Sequence, residues 1–424
     1  MIQQTQPPEK LIARTKSSDD LGINLRHLHV FLSVSSAGSI SRAADALYRV
    51  SSAVTRSIAE LEASLGTPLF ERRARGMLLN TYGELVQVRA QRIEQEFAAA
   101  RNALAARSDH AAHAGTLFAS MLNGRRLAVF ASLAEKRNMP AVAREFDITQ
   151  PAISASLKDL ESRLGLELFE RSARGVVPTD AGALLAFHFK RILAELRHIV
   201  PDIAALEGTI QGTVNIGALP LGRTRLLPSA IAEVVSRHPR LHVTTVESPY
   251  DVLAAGLRSG DIDFILGALR PMQEAKDLHQ EALFEDRISV IARAGHPLLS
   301  KRRIAFDDLR SAKWVLSRQG SPSRELLERA FREATQTAPV PTVETGDLAI
   351  LRGLLFQSDM LTAISSHQLH YEIEAGTLAV LDFPLDGTRR QIGIAQRIGG
   401  LPSPGARALI EAVRAMVGRL AGPR

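Results

Sequence analysis

Apolar residues in the first half of the chain recur at helical steps, and they do so twice. Val54, Ile58, Leu61 and Leu65 are spaced by four, three and four residues, and Ile153, Leu157, Leu160 and Leu164 repeat that spacing 99 positions later (153 − 54 = 99). Such steps stack side chains along one face of a helix, so each run predicts a helix with one buried side. Thr149 is a suitable N-cap for the second, with Pro151 in its first turn, and Gly165 and Gly66 stand where each helix should end. Upstream, Leu127, Phe130 and Leu133 form another stripe. Asn138 can cap a short helix through Phe146, and Ser39 one from Ile40 to Leu47.

The repetition extends well beyond these helices. Gly66, Phe70, Glu71, Arg72, Ala74, Arg75, Gly76 and Gly83 recur as Gly165, Phe169, Glu170, Arg171, Ala173, Arg174, Gly175 and Gly182 (165 − 66 = 99). The ungapped match runs from about Arg26/Arg125 to Val86/Leu185, with roughly a third of positions identical, which marks a duplicated unit. Each copy reads as helix, short helix, turn, helix and hairpin, the order of a winged helix-turn-helix. A long helix follows each hairpin. Val86, Ala90, Ile93, Phe97, Ala100 and Leu104 step by four and three, and Leu185, Phe189, Ile192, Leu196, Ile199 and Ile203 repeat the stripe. The spacing leads us to expect pairing between chains through one or both helices, with burial against the chain's own body as the alternative. Pro201 should kink or end the second helix.

From about Gly212 the pattern changes to short apolar strands alternating with helices. Val214–Ala218, His242–Glu247 and Ile262–Gly267 read as strands, with helices at Leu226–Arg237 and Tyr250–Ser259 between them. A second unit follows the strand Ile288–Arg293 and contains Trp314–Ser317, a helix at Ser323–Thr335 and the strand Leu361–Ser365. This alternation predicts parallel α/β layers, whose ligand crevice lies off the carboxyl ends of the strands.

Composition narrows the function classes. At 424 residues the chain needs several cores. Hydrophobic residues at 45% and charged residues at 23% are those of packed globular proteins. The absence of cysteine excludes disulfides and thiolate sites and fits a reducing compartment, so the cytoplasm is expected. No stretch has the apolar length of a membrane span, so no membrane partner is expected, and residues 1–23 are expected to be a mobile arm. The net charge of +7 permits an anionic partner such as nucleic acid. HExxH, Walker, GxSxG and GxGxxG motifs are missing, and His238, His296 and His367 lack metal-ligand spacing. Neither an enzyme nor a cofactor or metal is therefore expected.

Position gives the charge its meaning. The polar face of the second copy's third helix carries Gln150, Ser154 and Lys158, with Pro151 and Ala152 at its tip and Ser156 beside them. A helix tip of this kind enters the major groove, where glutamine can pair bidentately with adenine. The corresponding positions in the first copy are Ser51, Thr55 and Ala59, flanked by Ser52 and Arg56, and Ser39 and Arg42 open its short helix. The hairpins add Arg72, Arg73 and Arg75, or Arg171 and Arg174, as phosphate contacts. The alternative for a single copy is a solvated helix face and an ordinary charged turn.

The stretches SISRAADALYRVSSAVTRSIAELEASLGTPLFERRARG and TQPAISASLKDLESRLGLELFERSARGVVPTDAG each resemble the LysR-type DNA-binding domain. IGALPLGRTRLLP, SRHPRLHVTTVES, LAAGLRSGDIDFILGA and ISVIARAGHPLL are similar, in order, to that family's effector domain. The resemblance implies a multidomain α and α/β protein: two tandem winged helix-turn-helix domains, linker helices, and a two-lobed periplasmic-binding-protein-like α/β effector domain. The divisions expected are 24–82 and 121–180 for the winged helices, 83–120 and 181–207 for the linkers, and 208–424 for the effector domain. Within it, lobe one is expected at about 212–288 and 395–424, and lobe two at 289–394.

The implied function is transcription regulation through double-stranded DNA, controlled by a small, anionic inducer, in a homodimer or homotetramer. A solute-binding or enzyme-like α/β protein whose winged helices serve protein interaction is the alternative. Three departures from the family pattern stand out. There are two winged helices instead of one. The second copy keeps Gln150, Pro151 and Ser154 but has Ala155 where the family has arginine, whereas the first keeps Arg56 but has Ser51 and Ser52 for Gln-Pro. Pro220 replaces a hydroxyl residue that family members use toward inducer carboxylates. For the inducer the resemblance points to Leu219, Pro220, Leu221, Ser317, Ser321, Ser323, Thr345 and Gly346. Arg223 is expected on the surface.

Overall fold

The structure, a computed structural model, describes residues 23–73, 76–106, 121–172, 175–335 and 337–421. Residues 1–22 of the expected arm, Arg75, Arg174 and residues 107–120 of the first linker lie outside the described residues, and Ile23, counted with the arm, is buried in the core. The chain forms two compact units that divide near Gly212.

In the N-terminal unit the first copy consists of α1 (Leu25–Ala37), α2 (Ile40–Ala46), α3 (Ser51–Leu65), β1 (Phe70–Arg73), β2 (Gly76–Leu79) and α4 (Thr81–Ala105). The second consists of α5 (Gly124–Lys136), α6 (Met139–Glu145), α7 (Gln150–Leu164), β3 (Phe169–Ser172), β4 (Gly175–Pro178) and α8 (Asp180–Leu206). Every element begins 99 residues after its counterpart, as α7 does after α3 (150 − 51 = 99).

The expected caps are in place. Ser39, Asn138 and Thr149 accept from backbone N–H groups in the first turns of α2, α6 and α7. Phe31 packs on Phe70 with ring centroids 5.3 Å apart, and Phe130 on Phe169 at 5.0 Å, so each wing is tied to its own first helix by the same aromatic pair. Glycine at the wing's second strand is obligatory in both copies. Gly76 has φ 132° and Gly175 φ 104°, and an added Cβ would come within 2.4 and 2.3 Å of the Gly38 and Arg137 carbonyl oxygens.

The long helices α4 and α8 pack on each other, contrary to the expected pairing between chains. Both stripes are buried inside one chain: Val86, Ile93 and Phe97 on α4, and Leu185, Phe189, Ile192, Leu196 and Ile199 on α8, belong to one core that also holds both winged helices. Contacts run in opposite directions, since Arg89 meets Glu195 and Asp202 while Glu96 meets His188 and Arg191. The helices are therefore antiparallel. Pro201 lies inside α8 and does not end it.

The guanidinium of Arg89 is wholly buried between two carboxylates, with Nη1 2.7 Å from Glu195 Oε2 and Nε 2.7 Å from Asp202 Oδ2. Arg92 holds the other oxygen of Glu195 at 2.8 Å.

The C-terminal unit has two lobes. A five-stranded sheet in the order β6-β5-β7-β14-β8 forms the first, from β5 (Gly212–Ala218), β6 (Leu241–Val246), β7 (Phe264–Ala268), β8 (Leu278–Asp286) and β14 (Arg390–Arg397). Helices α9 (Leu226–Arg237), α10 (Tyr250–Ser259) and α15 (Pro404–Ala421) complete it. In the second lobe β9 (Ile288–Arg293) lies between β12 (Thr362–Ser365) and β13 (Leu378–Val380), and β10 (Val315–Leu316) pairs with β11 (Val343–Glu344). Its helices are α11 (Phe306–Ser311), α12 (Pro322–Thr335), α13 (Leu348–Gln357) and α14 (His370–Glu374). Trp314 is fully buried in that lobe, its indole N–H donating to Leu309 O at 2.7 Å.

Two expectations are corrected here. The sheets are mixed, not parallel throughout: β5 and β7 are parallel, but β14 is antiparallel to β7 and β8, and β9 is antiparallel to β12 and β13. The return to lobe one also comes before Arg390, not after residue 394, because β14 pairs along its length with β8.

The buried ion cluster yields a prediction. Burial favours a neutral Glu195, but hydrogen bonds and charge from Arg92 and Arg89 outweigh it and hold the carboxyl below its ordinary value. A depressed carboxyl stabilises the fold above its unfolded value, near 4.3, and loses that contribution as pH falls through the folded value. Glu195→Ala should destabilise the N-terminal unit by about 3 kcal/mol, because it leaves buried Arg89 with Asp202 alone of its two carboxylates. In chemical denaturation monitored at pH 7 and at pH 3.5, the unaltered chain should be weaker at the lower pH, with a smaller pH effect in the variant.

Candidate functional site

Helices α3 and α7 are held by their apolar faces, with Val54, Ile58 and Leu61, or Ile153, Leu157, Leu160 and Leu164, buried. What remains outward is the candidate nucleic-acid face. On α7 Gln150, Pro151, Ala152 and Lys158 are exposed. Ser154 is half-buried, with its hydroxyl 3.4 Å from Met139 Sδ. Ser156 is directed elsewhere, lining a small cavity with Arg126, Val129 and Phe130 of α5. Gln150 and Lys158 are thus presented together, and Ser156 is not with them. Arg171 is exposed on β3.

On α3 Ser51, Ser52, Thr55 and Arg56 are exposed, and Thr55 Oγ1 donates to Ser51 O at 2.9 Å. Arg56 Nε lies 2.7 Å from Glu60 Oε1. This bond raises the guanidinium pKa and holds the Glu60 carboxyl below its usual value. Ser39 is half-buried as the cap of α2, accepting from both the N–H and Nε of Arg42, which is itself exposed. Arg72 and Arg73 lie in β1.

Sequence reasoning passed over Tyr48, Arg49 and Val50, all exposed immediately before α3. Tyr48 is 97% exposed and has φ 52°, a conformation unfavourable for a bulky side chain. Nothing in the packing requires tyrosine there. The available signal was positional, since the repeat places Tyr48 against Asp147, which has φ 49° in the same turn.

In the C-terminal unit the expected inducer residues fall into two groups. Ser317 Oγ lies 2.8 Å from Ser321 Oγ and 3.0 Å from Ser323 Oγ, a cluster of hydroxyls at the start of α12. Thr345 Oγ1 accepts from Asp347 N at 3.1 Å, and Gly346 is exposed beside Arg318, a cation that the pattern of residues does not single out. Leu219 and Leu221, by contrast, are buried, with Leu219 in the core of lobe one. Their side chains are structural; only Pro220 between them is exposed.

Arg223 is not a surface residue as expected. It is half-buried, with Nε 2.7 Å from Ala218 O, and burial lowers its pKa against an opposing effect of Glu247. The turn Pro220–Arg223 is fixed near the turn after β12, where Thr224 Oγ1 donates to Gln368 O at 3.1 Å. Asp286, at the crossing between lobes, accepts from Ser365 Oγ at 2.6 Å and Arg390 Nε at 3.0 Å. These bonds tie the carboxyl ends of β8 and β12, one in each lobe, to the start of β14.

Comparison with known proteins bears on both regions. A family model described as the LysR substrate binding domain matches residues 207–418. One described as the bacterial regulatory helix-turn-helix protein, lysR family, matches twice, at 25–84 and 125–183. The HTH-type transcriptional regulator GalR of Pseudomonas putida is 48% identical over 394 residues, 93% of this chain and 97% of its own length. The HTH-type transcriptional regulator GbpR of Azospirillum brasilense is 30% identical over 292 residues, 69% of this chain and 85% of its own. The crystal structure of CbnR, a LysR family transcriptional regulator, is similar in fold, with a TM-score of 0.50 at 20% identity, covering 70% of this chain and 99% of that one.

The strained turn before α3 makes Tyr48 a stability probe. Asparagine tolerates the left-handed conformation, so Tyr48→Asn should stabilise the N-terminal unit by up to about 1 kcal/mol. A lower thermal midpoint in the variant would show that the tyrosine side chain contributes to the fold.

Proposed function

Because the chain belongs to the LysR family of transcriptional regulators, we propose that a small anionic metabolite bound by the C-terminal unit controls its binding to DNA. That it regulates transcription through DNA is the property of the family; the class of inducer and the division of labour between the two winged helices are our reading. The observation that supports an anion is the group of hydroxyls of Ser317, Ser321 and Ser323 at the first turn of α12. Hydroxyl and backbone N–H donors converge there at the positive end of a helix dipole. Arg318 follows Ser317 in the chain with its side chain beside Gly346, and Pro220 replaces the hydroxyl that the first strand would otherwise offer. Recognition of a carboxylate then falls to the second lobe.

On the DNA side, we assign the main base-reading role to the second winged helix. Gln150 and Pro151 stand exposed at the tip of α7, and this copy continues through α8 directly into the C-terminal unit. The first copy, with Arg56 and the β1 arginines, suits backbone contact. Its weakness as a base reader is that Arg56 is already engaged by Glu60.

Two experiments test these assignments. Thermal-shift measurements of the full chain against panels of aromatic acids, sugar acids and amino acids should identify a stabilising acid. A true ligand adds about 2.7 kcal/mol at a hundredfold excess over Kd. Ser317→Ala with Ser323→Ala should abolish the shift; a broad panel without any shift would refute ligand control.

For DNA, Gln150→Ala should cost about 1–3 kcal/mol on the preferred site and relax specificity at one base pair, whereas Arg171→Ala should weaken all sequences and reduce the salt slope by about 1. If Gln150→Ala leaves specific binding intact while Arg56→Ala abolishes it, the roles of the two copies are reversed.

A further inference from the structure

The seam between α4 and α8 has a symmetry that no single copy could have. Adding 99 to Arg89, Arg92 and Glu96 gives His188, Arg191 and Glu195. Arg89 and Arg92 meet Glu195 at 2.7 and 2.8 Å; their counterparts His188 and Arg191 meet Glu96 at 2.9 and 2.7 Å. The contacts to Glu195 thus have their image at Glu96, whereas the Arg89–Asp202 pair has none, because Ala103 stands at the position corresponding to Asp202. Reciprocity of this kind defines an isologous, two-fold interface. Such an interface ordinarily joins two identical chains. Here both halves lie in one polypeptide.

The apolar seam is filled by the same pairing. Along α4 and α8 the stripe residues from Val86 to Leu104 and from Leu185 to Ile203 are all buried, so these faces offer no apolar seam to a second chain. What the pseudo-two-fold leaves outward are α3 and α7, and they are chemically unlike. One tip offers the hydroxyls of Ser51, Ser52 and Thr55; the other offers the amide of Gln150 beside Pro151. A two-fold pair of identical chains must present identical reading heads, whereas an internal pair is free of that constraint.

We propose that one chain presents α3 and α7 as an unlike pair to a single DNA duplex and reads an asymmetric operator, with two half-sites of different sequence. The half-site under α7 carries an adenine suited to bidentate glutamine. The half-site under α3 is read by short hydroxyl side chains, which accept either base-edge donors or acceptors. The inference rests on the DNA-reading role given to these helices above, but not on which of them dominates.

The test has two arms. Since the chain has no cysteine, Glu96→Cys combined with Arg191→Cys introduces the only thiols, one on each helix. A short bis-maleimide applied to this full-length variant should give a cross-linked product of monomer mass; predominantly covalent dimers would overturn the internal pairing. The second arm uses the unaltered chain, so it stands even if the variant does not fold. From DNA fragments selected out of a genomic pool, the bound site is compared with two palindromes, each built from one half-site and its inverted copy. The natural site should bind about tenfold tighter than either palindrome, equivalent to about 1.4 kcal/mol. A palindrome that binds as tightly as the natural site overturns the unlike pair. Loss of all sequence preference in the unaltered chain would instead overturn the base-reading assignment itself, and with it the asymmetric operator.

Discussion

The N-terminal half of this protein depends on a charge placed where charge is costly. Arg89 is withdrawn from water at the centre of the α4–α8 seam and is tolerable there only because Glu195 and Asp202 meet it from the facing helix. An entirely apolar seam would hold two helices together at several registers, since one turn of sliding replaces one leucine contact by another. Sliding past Arg89 would leave an uncompensated ion in a dry interior. The cluster thus contributes less to net stability than to uniqueness: it fixes the alignment of α4 with α8, and with it the placement of the winged helices that each carries.

The two copies share a framework and differ on their outward faces. Each winged helix is a complete small fold, with its own caps, aromatic pair and wing glycine, and the second follows the first element by element at a constant offset. The framework has been kept while the presented faces have diverged. Gln150 and Pro151 stand where the first copy has Ser51 and Ser52, and Asp147 stands where the first copy tolerates a strained, exposed Tyr48. Two copies within one chain can diverge on their outward tips while retaining their buried sides, which a pair of identical chains cannot do.

In the C-terminal unit the corresponding constraint is the double crossing between lobes. Strands β8 and β14 belong to one sheet and are followed or preceded by chain that builds the other, and Asp286 ties both crossings to β12 through Arg390 and Ser365. The hydroxyls gathered at the start of α12 belong to the second lobe, which is joined to the first by these two crossings and by the bonds of Asp286.

The sequence by itself determined the elements, because helical steps, caps and the 99-residue repeat are local properties of the chain. The helices Leu226–Arg237 and Tyr250–Ser259 and the strand Ile288–Arg293 stand at the residues that their patterning indicates. It also determined that the stripe from Leu185 to Ile203 is buried. It could not determine against what, since periodicity records which face avoids water and carries no label for the partner; only the tertiary structure showed α4 of the same chain filling that role. The same limit explains the other differences. Strand direction is set by long connections, for β14 the return from the second lobe and for β12 the chain that follows β9 within that lobe, not by any pattern within the strands. Leu219 and Leu221 turn inward while Pro220 faces out, and Arg223 is drawn to the Ala218 carbonyl, because the sheet beneath them decides which side of the turn is covered. Local physics fixes what each segment becomes, and long-range packing fixes what it meets.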